Sequence, residues 1–278
     1  LILPIFLLSQ PVFCEELVLN LGNHLFKQGE YTAAITEYKR YLYFNQDSEK
    51  KTDVLMRIAR AFREEGDLSE ARYYYLKAQD TAKNTEELAD ARMETAFISI
   101  LAGEYTRAEF ELLQLSSIPD LAKKTEQKIA FRLGIVYTFT GTWDKAHKEF
   151  SFALSDQKKT MSQIESILEE AAAVKKKKPT TAKVLSTVLP GLGQVYAGYP
   201  LDGLGALLIN GGIFFLFGHT IADGHYPEAA LTFLYLVLRF YPGNIYQAGQ
   251  KAKAYNNRQE EMYRNRILRV LEEVVSEP

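Results

Sequence analysis

The residues best placed to do chemistry are the glycines of PGLGQVYAGYPLDGLGALLINGG, residues 190–212. Glycines can bring backbone N–H groups against a phosphate when they stand as Gly-x-Gly-x-x-Gly between a strand and a helix. Here Gly191 and Gly193 are followed by Tyr196 at the third position, in no β-rich surroundings. A Walker loop would close on Gly-Lys-Ser/Thr, which is absent. The phosphate reading fails. His219 and His225 flank Asp223, but helical ligand pairs stand four apart and need further partners, so no metal is assigned. Cys14 is the single cysteine, and no Ser/His/Asp set or pair of buried carboxylates can be argued. No catalytic residue and no cofactor is expected, and the chain reads as a non-enzyme.

The alternative for the glycines is a membrane. Between Lys183 and Arg239 the only charged side chains are Asp202, Asp223 and Glu228, and eleven of the 17 glycines fall between Gly191 and Gly249. This shift follows the run Lys175-Lys176-Lys177-Lys178-Pro179, where a domain boundary is placed. Gly203 to Ala222 carries no charge and is long enough to cross a bilayer. A second apolar run, Ala229 to Gln250, is interrupted only by Arg239, with Pro242 and Gly243 just beyond, where a helix end would bring Arg239 to an interface. A shorter segment, Val184 to Tyr199, precedes both. Together they predict a compact helical membrane module over residues 179–256, in which Gly205, Gly211 and Gly212 let helices approach closely. A guanidinium in hydrocarbon needs an acid or an interface. Asp202 and Arg239 are therefore a predicted polar pair, the alternative being that Arg239 snorkels to the headgroups.

Upstream, the sequence repeats. GEYTAA begins at Gly29, GDLSEA at Gly66, GEYTRA at Gly103 and GTWDKA at Gly141. Aligned on Ala34, Ala71, Ala108 and Ala146, the column twelve residues earlier holds Gly22, Ala59, Ala96 and Gly134, all small. Four residues later the column holds Tyr38, Tyr75, Leu112 and Phe150, all large. Small residues at fixed places mark close helix crossings, and large ones fill the adjacent space. Ser48, Thr85 and Asp120 are predicted N-caps. Met161, Ile164, Ile167, Leu168 and Ala171 recur at helical spacing and predict a covering helix, with a basic linker to residue 178. Ile267, Leu271, Val274 and Val275 form a similar stripe on an amphipathic C-terminal helix, 257–278.

These columns resemble the tetratricopeptide repeat family, over residues 15–156, with units longer than that family's usual 34. The resemblance implies an all-α solenoid of four helix pairs whose first helices line a groove. Carried over by position, the lining is Leu19, Asn23 and Phe26, then Met56, Arg60 and Arg63, then Met93, Phe97 and Ile100, then Phe131, Ile135 and Phe139. The basic side chains Arg60 and Arg63 beside the apolar Met93, Phe97, Ile100, Phe131, Ile135 and Phe139 imply a protein or peptide partner, an amphipathic helix with some acidic residues. The C-terminal stripe is one internal candidate. Of the family's carboxylate clamp, only Asn23 fits. A second resemblance, carried by LPGLGQVYAGYPLDGLGALLINGG and YPGNIYQAGQKAKAYN, is to a small glycine-rich bacterial membrane domain that occurs attached to such repeats in envelope proteins.

The net charge of −2 removes the electrostatic case for a nucleic-acid partner. Residues 1–14, LILPIFLLSQPVFC, read as a signal-like segment with Val12 and Cys14 at the small positions before a cut; a lipidated Cys14 and an uncleaved anchor are the alternatives. That segment puts the repeats in the periplasm. The basic flanks of the membrane module would put them in the cytoplasm, and the more specific signal layout is preferred. The expectation is a membrane-anchored interaction scaffold of the bacterial cell envelope, serving assembly or insertion of envelope proteins. Its rival is an oligomeric transport or channel-like module regulated by the repeats.

Overall fold

The computed structural model describes residues 10–276, with side chains from Glu16 to Glu273. Residues 1–9 of the signal-like segment, the side chains of Val12 and Cys14, and those of Val274 and Val275 lie outside the described residues. Every regular element among the described residues is a helix. The chain divides into two units, ending at Met161 and starting at Ser162, so the division falls inside the expected covering helix rather than after the lysine run.

The first unit holds four helix pairs: α1 (Gln10–Lys27) with α2 (Tyr31–Phe44), α3 (Lys51–Glu65) with α4 (Leu68–Thr81), α5 (Thr85–Leu101) with α6 (Tyr105–Ser116), and α7 (Lys123–Phe139) with α8 (Trp143–Ala153). Each first helix stops the same way. Gly29, Gly66, Gly103 and Gly141 take φ of 80, 88, 74 and 66°, where an L side chain would be strained. The following amide then donates five residues back, Glu30 to Leu25, Asp67 to Phe62, Glu104 to Ser99 and Thr142 to Tyr137. The repeated glycine is therefore a repeated turn.

The aligned columns meet in space. A Cβ on Gly22 would lie 2.6 Å from the Tyr38 ring, and one on Gly134 would lie 2.6 Å from the Phe150 ring. In the second pair, Ala59, Ala71 and Tyr75 are fully buried in one cluster with Ile98 of the next repeat. The expected N-caps sit elsewhere. Asn84 caps α5, its side chain accepting from the Glu87 amide while Glu87 accepts from the Lys83 amide. Thr85 is thus the first helical residue. Ser48 pairs with the Tyr41 hydroxyl before the cap at Lys50, and Asp120 takes a left-handed φ of 59° before the cap at Ala122.

The second unit contains most of α9 (Lys158–Ala173), then α10 (Pro179–Val188), α11 (Leu192–Tyr196), α12 (Pro200–Ala222), α13 (Tyr226–Thr232), a π-helical turn at Phe233–Val237, and α14 (Leu238–Ser276). Ile164, Leu168 and Ala171 on α9 and Ile267 and Leu271 on α14 are buried. Arg266 holds both oxygens of Glu170, at 2.5 and 3.1 Å, and so fastens α14 to α9. The stripe read as a ligand for the repeats is therefore already covered. α12 and the chain after Gly224 form an antiparallel hairpin, closed by Phe217 on Phe233 and Phe214 on Tyr241. Pro242 does not end the second apolar helix, which continues through it as α14. A proline lacks the N–H that the fourth preceding carbonyl expects. Just upstream the ladder has already widened, with the Leu238 amide donating to Phe233, and the wide turn gives the ring room. Gly205, Gly211 and Gly212 do not mediate close approach either, since a Cβ at each would meet nothing within 4 Å.

Replacing Gly134 by Ala should gain about 1 kcal/mol of helix propensity. The Phe150 ring, fully buried, must then move, at a cost of about 1–3 kcal/mol. The expected net effect is destabilisation, and the same substitution becomes stabilising when Phe150 is Leu. Urea unfolding of the full chain in detergent, followed through Trp143, reads this, because the single tryptophan lies in α8.

Candidate functional site

The first helices form one layer, with α5 against both α3 and α7, and α1 tied to α3 through the Asn23–Arg57 hydrogen bond. A charged column stitches it. Two residues before the small crossing residue stand Arg57, Glu94 and Arg132, none of them among the positions carried over from the resemblance. Arg57 donates to Asn23 Oδ1 at 2.6 Å and to Asp53 at 2.9 Å, and Tyr38 donates to the same Asn23 oxygen. Glu94 accepts from Arg63 at 2.9 Å through one oxygen and from Arg132 at 2.5 Å through the other. The Tyr75 hydroxyl also reaches Glu94, and burial, reinforced by that carboxylate, pushes its phenol well above the usual range. Arg132 further donates to the Met93 carbonyl.

The Phe97 ring lies between two guanidiniums, 5.5 Å from Arg63 and 4.9 Å from Arg132. Arg63 is thus committed to Glu94, Glu64 and Phe97 rather than presented as a free basic end. Arg60 differs. It is exposed and lines a cleft of about 330 Å³ with Asn23, Phe26, Lys27, Tyr38 and Arg57. Among the described residues Arg60 and Lys27 make no ion pair, so this end of the layer carries uncompensated positive charge.

The apolar candidates separate. Met93 and Ile100 are buried, because α5 has a neighbouring first helix on each side and its flanks are covered. Phe131 is half-buried edge-on to Phe150, Ile135 is half-buried, and Phe139 stacks on Tyr105 with centroids 4.9 Å apart. The structure therefore gathers Asn23, Phe26, Arg60, Phe97 and the charged column onto the layer, and withdraws Met93 and Ile100 into packing. The missed column was visible in the same alignment, as one position alternating Arg, Glu and Arg.

In the second unit the sequence motif is a lock. Gln194 is almost wholly buried, and its Nε2 donates to Asn244 Oδ1 at 2.7 Å and to the Asn244 carbonyl at 3.3 Å. Its Oε1 accepts from Ser186, whose Oγ in turn accepts the Gly193 amide at 3.0 Å. The glycines permit this approach. A Cβ on Gly193 would collide with the Ala182 carbonyl oxygen, and one on Gly191 with that of Gly203. Ala182, Ala197, Ala248 and Ala252 are fully buried in one cluster beside the amides. Asn256 closes the far end, accepting from the Lys177 amide and donating to its carbonyl, both at 2.8 Å. The PGLGQVYAG and GNIYQAGQ halves thus recognise each other.

Between α12 and α14 lies a cleft of about 570 Å³. Asp202, Asn210, Arg239 and Lys251 contribute to it. The expected Asp202–Arg239 pair does not form: Asp202 pairs with Lys251 at 2.5 Å. Because α14 runs unbroken, Arg239 stands twelve residues from Lys251, about 18 Å along the helix. His219 pairs with Asp223 at 2.7 Å, and His225 lies 4.0 Å from Glu228.

No family model matches the chain, and no curated protein matches it. Among solved structures, the crystal structure of a thermophilic TPR protein from Thermus thermophilus is similar, at a TM-score of 0.31 and 19% sequence identity. The match covers 58% of this chain and 100% of that one.

Two outcomes follow from these networks. Glu94→Gln should destabilise the repeat unit by about 3 kcal/mol, more than Arg63→Ala or Arg132→Ala, because it leaves two half-buried guanidiniums facing one another. Urea unfolding through Trp143 measures it. Gln194→Leu and Asn244→Leu should each cost about 1–3 kcal/mol by orphaning a buried partner, whereas the double substitution should cost less than their sum. Thermal unfolding of the full chain in detergent checks the cycle.

Proposed function

We propose that this protein is a membrane-anchored interaction scaffold of the bacterial cell envelope, with the repeats in the periplasm and the second unit seated in the bilayer. The observation that carries the reading is the apolar surface of the hairpin. α12 is long and apolar enough to span a membrane, and only about 6% of its most apolar stretch is buried. Leu201, Leu208, Phe215, Leu234 and Tyr235 are each more than half exposed. Water does not tolerate a patch of this extent on a monomer, and lipid does. The second apolar run is divided among α13, the π-turn and the start of α14, so it supports α12 as a return helix rather than as an independent span.

The partner surface is the first-helix layer. Its basic end at Lys27, Arg57 and Arg60 suits acidic side chains, and Phe26 beside it supplies apolar area. The fitting partner is an amphipathic helix or extended segment bearing acidic residues on its apolar flank. In this reading the layer holds the partner while the hairpin keeps it at the membrane, in the setting of envelope protein assembly or insertion.

A photo-crosslinking residue in place of Arg60, in cells expressing the full chain, should capture a discrete partner. The same probe at Phe110, on the exposed side of α6, should not. A periplasmic reporter fused after Gln157 should be active, and the chain should resist carbonate extraction. Equal capture from both probes would remove the partner surface, and extraction by carbonate would remove the anchor.

A further inference from the structure

We propose that the cleft between α12 and α14 binds the phosphate of an anionic membrane phospholipid, with Arg239 as its principal ligand. The inference rests on the membrane placement above and adds a ligand to it.

The charges in the cleft do not cancel. Asp202 is taken by Lys251 at 2.5 Å, and that ammonium also lies 4.5 Å from the Tyr199 ring centroid. Arg239 makes no ion pair and no hydrogen bond among the described residues. It stands on a helix whose neighbours Leu238 and Phe240 are exposed and apolar. An uncompensated guanidinium in such a shell is costly, and among the described residues the cleft's one acid, Asp202, is paired with Lys251 instead. An external anion can supply it, and the planar fork of arginine fits two phosphate oxygens at once.

Size and wall chemistry narrow the class. The space of about 570 Å³ is adequate for a phosphate with its glycerol. Asn210 and Gln247 add polar groups beside Arg239. Gly205 and Gly243 also line the cleft, and a Cβ at either would meet nothing within 4 Å, so a side chain there would occupy the ligand's space. The rim residues Ile209 and Phe240 are 53% and 40% exposed. A ligand carrying acyl chains would cover them, and free phosphate would not. The single unbalanced positive charge favours a lipid of net negative charge, such as phosphatidylglycerol, over a zwitterionic one.

The test is native mass spectrometry of the full chain released from mixed micelles holding equal phosphatidylglycerol and phosphatidylcholine. The wild type should retain one phosphatidylglycerol with at least about tenfold preference. Arg239→Gln should abolish the preference by removing the charge, and Gly205→Leu by filling the space. Lys253→Gln removes an exposed cation of the same helix that does not line the cleft and should leave the preference intact. A preference that survives Arg239→Gln, or one lost equally in Lys253→Gln, overturns the site. Displacement of the lipid by excess inorganic phosphate overturns the lipid as the source of the phosphate. Flotation of the same proteins with phosphatidylcholine vesicles separates the two layers of inference. Flotation without lipid preference overturns the cleft alone, and a wild type that does not float overturns the membrane reading and the lipid with it.

Discussion

A ring or a carbonyl can lie against a helix backbone only where that helix carries no side chain of its own, and both units of this protein are organised around that constraint. In the repeats, Gly22 and Gly134 receive the rings of Tyr38 and Phe150, while Ala59 packs in one cluster with Tyr75. In the second unit Gly193 lies against the Ala182 carbonyl and Gly191 against that of Gly203. The consequence differs with what fills the remaining space. In the repeats it is an apolar ring, so the crossing is held by packing density. In the second unit it is a set of amides, so the crossing is held by direction as well as by contact.

That difference explains why each unit carries its polar groups where it does. The repeat layer keeps its interior apolar and moves charge to a column at its face, where Glu94 serves two arginines and Phe97 rests between them. Such a network adds little net stability, because desolvation opposes attraction. It does fix the register of α3, α5 and α7 relative to one another, since any slip would strand a half-buried charge. The basic cleft at Asn23 lies beyond the last acid of the column, and there Arg60 and Lys27 make no ion pair among the described residues, while Arg57 is held by Asp53.

The repeats were legible because their information is periodic. The crossing columns, the turn glycines and the helix pairs recur at a fixed interval, so four copies reinforce one another. Burial within the groove was not legible in the same way. Met93 and Ile100 occupy positions that would be open at a terminal helix, yet α5 has a neighbour on each side. The amide lock was illegible for a different reason. Gln194 and Asn244 are fifty residues apart with no period linking them, and the resemblance of the two halves to one domain does not say which side chains join them. The Asp202–Arg239 expectation failed on register. Asp202 finds Lys251 instead, one of the cations read only as a basic flank of the module, while the helix end at Pro242 that the snorkelling alternative needed is also absent.

The unbroken helix after the π-turn has a mechanical consequence. At 39 residues, α14 is about 58 Å long, roughly twice the hydrocarbon thickness of a bilayer. Its apolar start and its charged end belong to one rod. A rotation of this helix as a body turns Ile267, Leu271 and Arg239 together, and with them the Arg266 side of the ion pair to Glu170. The places where such a rod can bend are the wide turn at Phe233–Val237 and Pro242, both at its apolar end.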